Sequence, residues 1–109
     1  MYYSFKGCSN LTSLNLSNFN TSKVLDMGYM FEGCVNLISL DLSNFDTNNT
    51  KNMIHMFYGC SKLKYLNIKS FSTQKCNHVE AMFGGINKEE CEVIIEDPLI
   101  NEKFNIKNL

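Results

Sequence analysis

The chain has 109 residues, enough for one small domain, and its 44% hydrophobic content and single proline argue against extensive disorder. Its formal net charge of -1 provides no basic field for nucleic acid, which excludes a protein that binds nucleic acid through a charged surface. No apolar run approaches the roughly 18 residues of a membrane span, so we expect no membrane insertion by this chain, and no secretory signal follows Met1.

An internal repeat of 26 residues organises the sequence. A phenylalanine column shows the period at Phe5, Phe31, Phe57 and Phe83. Residues of several other types recur in the same register: Cys8, Cys34, Cys60; Leu11, Leu37, Leu63; Leu14, Leu40, Leu66; Thr21, Thr47, Thr73; Met30, Met56, Met82. This agreement indicates a repeat protein in which neighbouring units share one local structure and one continuous core.

The first predicted element of each repeat is a β-strand. Leu40 and Leu42 alternate with the polar residues Ser39, Asp41 and Ser43, and a period of two is typical of a strand with one dry and one solvated face. The surrounding Leu-x-x-Leu-x-Leu pattern at 37–42 matches the core of leucine-rich repeats.

The second predicted element is a short helix. Apolar residues between 21 and 34 recur at steps of three and four, which favours a helix with one buried face. The predicted N-caps are Thr21, Thr47 and Thr73, and the predicted left-handed C-caps are Gly7, Gly33 and Gly59. The predicted fold class is therefore an α/β solenoid: a leucine-rich-repeat-like right-handed superhelix with a parallel β-sheet on the concave face and short helices on the convex face.

The repeats are predicted to occupy residues 1–86, as three to three and a half units of which the first is incomplete. Met1 aligns with Met27, halfway along a unit, and we interpret this start as a truncation. Residues 87–109 are predicted to form a C-terminal cap. In this segment, residues 91–96 resemble a final strand with one residue inserted, Asp97-Pro98 ends it, and a tail or short helix follows.

The segment MFEGCVNLISLDLSNFDT at 30–47 closely resembles the 26-residue repeat of BspA-like bacterial surface proteins, and the resemblance extends over 1–85. It implies a secreted or lipid-anchored surface protein that uses its solenoid for adhesion to host matrix proteins or neighbouring cells. No ligand-binding residue carries over, because that family is defined by its repeat pattern. A cell-surface or secreted location is thus implied, while a cytoplasmic one stays open without a signal at Met1.

The reactive residue types point to packing rather than chemistry. The cysteine column offers no C-x-x-C pair for zinc, and its parallel side chains suit disulfides poorly, so we predict free thiols that pack as small apolar groups. His55 and His78 fall at variable, outward positions of the predicted helices, and the methionine column is predicted to be core. We therefore expect no catalytic residue, no cofactor and no metal site, and hence no enzyme.

The predicted ligand surface is the concave strand face, where outward side chains form polar rows with Tyr65 as the aromatic anchor. The candidate residues are Ser13, Asn15, Ser39, Asp41, Lys64, Tyr65, Asn67 and Lys69. The predicted partner is a protein, such as a host matrix or cell-surface protein. Two alternatives stay open: a structural spacer without a ligand of its own, and an intracellular interaction module, which the unpaired cysteines would suit.

Overall fold

A computed structural model describes residues 4–105 of the chain. In chain order, its elements are β1 Ser13–Leu14, β2 Ser39–Asp41, β3 Tyr65–Asn67, β4 Glu92–Ile94 and the helix α1 Pro98–Phe104. The strands form one parallel sheet in the order β1-β2-β3-β4, so each strand lies beside the next strand of the sequence. The chain therefore has an α/β repeat-like fold with a four-stranded parallel sheet and one short helix.

The leucine column sets the register of the sheet. Leu14 pairs with Leu40, Leu40 with Leu66, and Leu66 with Val93. The last step is one residue longer than the others, which confirms the strand predicted over 91–96 and its inserted residue. The division of the chain at residue 86 into repeats and a cap stays a prediction.

The core is built from columns of identical side chains. Phe57 is completely buried, and its ring stacks between Phe31 and Phe83 with centroid distances of 5.8 and 6.0 Å. Leu40 and Leu42 are also buried, as the alternation in β2 predicts. Each large side chain that is fully buried contributes about 2 kcal/mol to folding, so the stacked columns are the main stabilising feature of the fold.

The predicted short helices are wrong for the described residues, because the segments between strands form consecutive turns. In each repeat, alternate backbone N–H groups donate to the next repeat, as in Met27 N to Asn52 O and Phe31 N to Met56 O, both at 2.9 Å. Successive β-turns, such as the one closed by the bond from Cys34 N to Phe31 O at 3.1 Å, produce the apolar spacing that resembles a helix. Hydrogen bonding between repeats thus replaces the bonds that a helix would make within one repeat.

The threonine column links repeats and does not cap helices. The Thr47 hydroxyl donates to Ser72 O at 2.9 Å and accepts from Ser72 N at 2.7 Å. Thr21 makes the same pair of bonds to the backbone of Asp46. The N-cap prediction is therefore wrong, since a hydroxyl that donates and accepts at once satisfies the backbone of the following repeat.

The glycine column does adopt the predicted left-handed conformation, although no helix ends there. Gly85 has φ of 83°, and a Cβ atom on it would lie 3.3 Å from the Cα and N atoms of Gly59. Glycine is required at this position for two reasons, the positive φ and the close approach of successive backbones.

The two ends of the repeat stack differ. At the C-terminal end, Asp97 caps α1 by accepting from Ile100 N at 3.0 Å, Ile100 is fully buried, and Phe104 packs edge-on against Phe83. At the N-terminal end, Phe19 is 45% exposed. No helix among residues 4–105 is long and apolar enough to cross a bilayer.

Candidate binding surface on the sheet

The solvent-facing side chains of the strands form rows that cross the sheet, and we call this surface the sheet face. Ser13 lies opposite Ser39, Ser39 opposite Tyr65, and Tyr65 opposite Glu92. A row therefore runs across four strands with a spacing of about 5 Å per strand. This arrangement follows directly from the pleat, because residues in register on parallel strands project from the same side of the sheet.

The predicted ligand residues differ in their exposure. Six of them are exposed: Ser13, Asn15, Ser39, Asp41, Lys64 and Lys69. Tyr65 is half-buried, and its hydroxyl accepts a hydrogen bond from Asn67 Nδ2 at 3.3 Å. Asn67 is buried, with 8% exposure. Tyr65 is thus held in place by its neighbour and offers a partner less area than a fully exposed aromatic anchor would.

The column of Asn15, Asp41 and Asn67 holds the turns that follow the strands. In each case the side-chain Oδ1 accepts from the N–H two residues later, at 3.0, 2.9 and 3.1 Å respectively. Asparagine and aspartate recur here because their short side chains close such turns. These side chains are therefore oriented by the backbone, and they are not free to rotate towards a ligand without opening a turn.

Asp41 is the acidic member of this column. Hydrogen bonds from the side chain and backbone of Ser43, helped by the charge of Lys69, hold the pKa of the Asp41 carboxyl below its usual value. The carboxylate is consequently charged at neutral pH, and it is exposed. It can attract a cationic group of a ligand while one of its oxygens keeps the turn closed.

A shallow groove lies beside Asp41, with a volume of about 260 Å³. Its lining residues are Leu14, Asn15, Ser17, Asp41, Ser43 and Asn44. Asn44 Nδ2 donates to the carbonyls of Leu16 and Ser17, both at 3.1 Å, so one wall of the groove is fixed across two repeats. Its volume limits the groove to a small side chain of a ligand.

A second groove of about 230 Å³ lies beyond the opposite ends of the strands. Its lining residues are Ile38, Ser61, Lys62, Leu63, Lys64, Asn87 and Glu90. Asn87 and Glu90 of this groove, and Glu92 beside Tyr65 on the sheet face, are not among the ligand residues predicted from the sequence, although the final strand and its inserted residue are predicted. The predicted inserted residue already gives the signal that finds Glu92, because it places that residue beside Tyr65.

The cysteines pack as the sequence predicts. All five are free thiols, and four are buried. Cys60 Sγ donates to Phe31 O at 3.3 Å, and Cys34 Sγ donates to Phe5 O at 3.1 Å. Burial raises the pKa of the Cys60 thiol to about 12, so it carries no thiolate for nucleophilic chemistry near neutral pH. Residues 4–105 contain no group of three or more His, Cys, Asp or Glu side chains that could hold a metal ion.

A lateral cluster around His55 was not predicted. His55 has a left-handed φ of 55°, its ring lies 4.9 Å from that of Tyr29 and 4.7 Å from that of Tyr58, and its Nδ1 atom lies 2.9 Å from Glu32 Oε2. His55 therefore joins two repeats instead of pointing outward from a helix. His78 is exposed, as predicted, and its Nδ1 atom lies 4.0 Å from Glu80 Oε1.

These features define an α/β repeat protein with a solvent-exposed, polar sheet face. Residues 1–94 match the family described as "Mycoplasma protein of unknown function, DUF285", and the chain belongs to that family. This family is related only loosely to BspA-like surface repeats. The match therefore assigns the chain to this repeat-domain family and does not assign it to the BspA-like proteins. No curated protein and no solved structure matches the chain.

Proposed function

We propose that the chain is a non-enzymatic binding module of a surface protein, and that it adheres to a protein ligand through the sheet face. In this proposal the sheet is the concave wall of a leucine-rich-repeat-like solenoid. The observation that carries the proposal is the row of Ser13, Ser39, Tyr65 and Glu92, which presents side chains of different chemistry at fixed spacing on four paired strands.

Rigidity is the main physical support for this proposal. The strands are fixed by backbone pairing, and the turns after them are fixed by the Asn15, Asp41 and Asn67 side chains. A surface that is already ordered loses little conformational entropy on binding, so even a few contacts can contribute to affinity.

Charge supplies a second support. Lys64 and Lys69 are exposed near the two ends of β3, and Glu92 is exposed on β4. Charges of both signs at the rim of a polar face favour a protein partner with a complementary pattern and exclude partners with like charges. Because the sheet has four short strands, the expected contact area is at the small end of protein interfaces, and the expected affinity is weak.

The loose relation to BspA-like repeats supports a surface location and an adhesive role. It makes host matrix proteins and cell-surface proteins the ligand class to test first.

A spacer function is the second candidate, and one specific observation favours it. The Oδ1 atoms of Asn15, Asp41 and Asn67 are used to close turns, so much of the polarity of the face has a structural purpose. In a spacer, the repeats would present another domain and bind nothing themselves. An intracellular interaction module is a variant of the binding proposal, favoured by the five free thiols, which suit a reducing compartment.

Two charge-reversal variants with the same net charge test the sheet face. The test variant carries Lys64→Glu and Lys69→Glu, which flank β3 at the rim of the face, and the control carries Lys23→Glu and Lys51→Glu, at exposed positions in the middle of the segments between strands. Binding to a panel of immobilised matrix proteins and to host cells is measured for both variants and for the unmodified chain.

If the proposal is right, the unmodified chain and the control bind, and the test variant loses affinity at least about tenfold, which corresponds to about 1.4 kcal/mol. Equal loss in both variants would show that only net charge matters. Folded protein at a concentration of about 100 µM would still reveal an interface whose dissociation constant is about 100 µM. Absence of binding at that concentration would favour the spacer.

A further inference from the structure

Ile38 is an exposed aliphatic residue of an inner repeat. It is 45% exposed although β2, which follows it directly, has a paired strand on each side. The residues in the same column are Thr12 and Lys64, so the repeat does not need an apolar side chain at this position. A single exposed aliphatic residue is common on protein surfaces. Ile38 also lines a groove, however, and the two observations together indicate a contact surface.

This groove has a volume of about 230 Å³ and lies between the segments that lead into β2, β3 and β4. We call it the Ile38 groove. Its accessible lining is mainly apolar, and Leu63, which is only 1% exposed, contributes to it together with Ile38. Pockets for drug-sized molecules have volumes of roughly 300–1,000 Å³, so the Ile38 groove suits one aliphatic side chain of a larger ligand.

Hydrogen bonds within the chain fix both walls of the Ile38 groove. On the side of β4, the inserted residue allows a turn in which the Asn87 carbonyl accepts from Glu90 N at 3.1 Å and from Cys91 N at 3.0 Å. On the side of β3, Lys64 N donates to Ile38 O at 2.8 Å. Because the walls are ordered before a ligand arrives, binding loses little conformational entropy of the chain.

The two rims of the groove carry opposite charges. Lys62 and Lys64 lie on the side of β3, and Glu90 lies on the side of β4. Lys62 Nζ donates to the neutral Oδ1 atom of Asn36 at 3.0 Å, and neither lysine forms an ion pair within residues 4–105. A carboxylate of the ligand is therefore attracted to the lysine rim and repelled from the opposite rim, which favours one orientation of the ligand.

We propose that the Ile38 groove receives an aliphatic side chain of the protein ligand, and that a carboxylate on the adjacent ligand residue pairs with Lys64. This proposal rests on the binding function proposed above and specifies the ligand segment: an aliphatic residue next to Asp or Glu. In the complex, the ligand side chain covers Ile38, and the turn at Asn87 forms the far wall.

Amide NMR titration of the full 109-residue chain with short capped peptides tests the proposal. The probe is Gly-Leu-Glu-Gly. The control peptides are Gly-Ser-Glu-Gly, which lacks the aliphatic side chain, and Gly-Leu-Lys-Gly, which has the opposite charge. We expect the probe to shift the amide signals of Ile38, Lys64 and Asn87 with a dissociation constant of about 1–10 mM. Each control peptide should bind at least about fivefold more weakly.

Two matched variants each introduce the residue that another repeat carries in the same column, so both suit the fold. Ile38→Thr introduces the residue type of Thr12 and should weaken binding of the probe at least about threefold. Leu25→Asn introduces the residue type of Asn77 at a position that is 55% exposed and does not line the groove, so binding should not change. Lys64→Glu should reverse the preference and make Gly-Leu-Lys-Gly the better ligand.

Folded chain that shows no saturable shift at about 20 mM probe, or shifts only outside the groove, would overturn the proposal. Equal binding by the unmodified chain and Ile38→Thr, or an unchanged charge preference in Lys64→Glu, would also overturn it. The binding screen separates this failure from failure of the proposed function. Matrix proteins that bind while the probe does not would remove the groove and keep the function, whereas a probe that binds when no matrix protein does would support the groove and remove adhesion.

Discussion

The C-terminal unit and the first described unit of the repeats differ in how completely their aromatic side chains are buried. At the C-terminal end, Ile100 and Phe104 of α1 lie over the core, and Phe83 is 2% exposed. At the N-terminal end, Phe19 is 45% exposed although Phe45 and Phe71 occupy the same column. Whether a side chain in a core column is buried therefore depends on the unit beside it as well as on its position in the repeat.

The contribution of each unit to the free energy of unfolding should therefore depend on how many neighbouring units it contacts. An inner unit has two neighbours, and the first described unit has one on its C-terminal side. In stacked repeat proteins, stability is approximately a sum of unit terms and nearest-neighbour terms. Equivalent substitutions at the two ends should therefore have unequal effects, and the difference measures the interface between units.

The largest expected effect comes from the phenylalanine column. Phe57→Ala removes a ring that is fully buried between two others, so we expect it to lower the free energy of unfolding by about 3–5 kcal/mol. Phe19→Ala removes a ring that is nearly half exposed and should cost about 1 kcal/mol or less. Urea unfolding of both variants provides the comparison, and equal losses would mean that Phe19 in the first described repeat is packed as well as Phe57 in an inner repeat.

The next effect concerns the cap at the closed end. Asp97 accepts hydrogen bonds from Ile100 N and from the backbone N–H and hydroxyl of Thr73. Asp97→Ala should therefore destabilise the chain by about 2 kcal/mol. Asp46→Ala is the control, since exposed Asp46 accepts one turn hydrogen bond from Asn48 N and should cost about 0.5–1 kcal/mol. A smaller loss for Asp97 than for Asp46 in thermal unfolding would contradict the role of α1 as a cap.

A moderate effect is expected along the glycine column. Gly7 and Gly85 both have positive φ, but a Cβ atom at Gly7 meets nothing within 4 Å, whereas one at Gly85 approaches the Gly59 backbone to 3.3 Å. Gly7→Ala should cost about 1 kcal/mol from the left-handed conformation alone. Gly85→Ala should cost more, since the backbones must also separate. Matched chemical denaturation curves would show the order, and a reversed order would argue against close stacking of the glycines.

The last effect appears only in alkaline solution and is the pH dependence contributed by Cys60. Burial raises the pKa of its thiol from 9.0 to about 12, so the neutral thiol of the folded state contributes stability that is fully present below pH 9 and is lost as the pH rises towards 12. Cys60→Ala should reduce the decline in stability over this interval. A decline with the same slope in the variant, measured by urea unfolding between pH 8.5 and 11, would show that other groups account for it.

The strands and their register could be predicted from the sequence because they depend on single residues at fixed spacing. Leu40 and Leu42 alternate with polar residues, and only a strand buries such a pair on one face. The helices could not be distinguished from turns, because successive β-turns place apolar residues at the same steps. Left-handed Tyr29 and His55, and backbone hydrogen bonds to the next repeat, decide in favour of turns.

The rows of side chains on the sheet face could be predicted from the sequence, but the hydrogen bonds that these side chains make could not. The rows follow from the pleat, and the structure places Ser39 and Tyr65 side by side as expected. The turn-closing role of Asn15, Asp41 and Asn67 was missed, although Asn or Asp directly after a strand is a known sign of such turns. The link between Glu32 and His55 could not be found by aligning columns, because they occupy different positions of adjacent repeats.

Amide hydrogen exchange in the presence and absence of the protein ligand found by the binding screen tests the central claim most directly. If the sheet face is the binding surface, the ligand slows exchange at β2 and β3, around Ser39 and Tyr65, and leaves the lateral cluster around His55 unchanged. Protection confined to the lateral cluster, with unchanged exchange in β2 and β3, would contradict the proposed function.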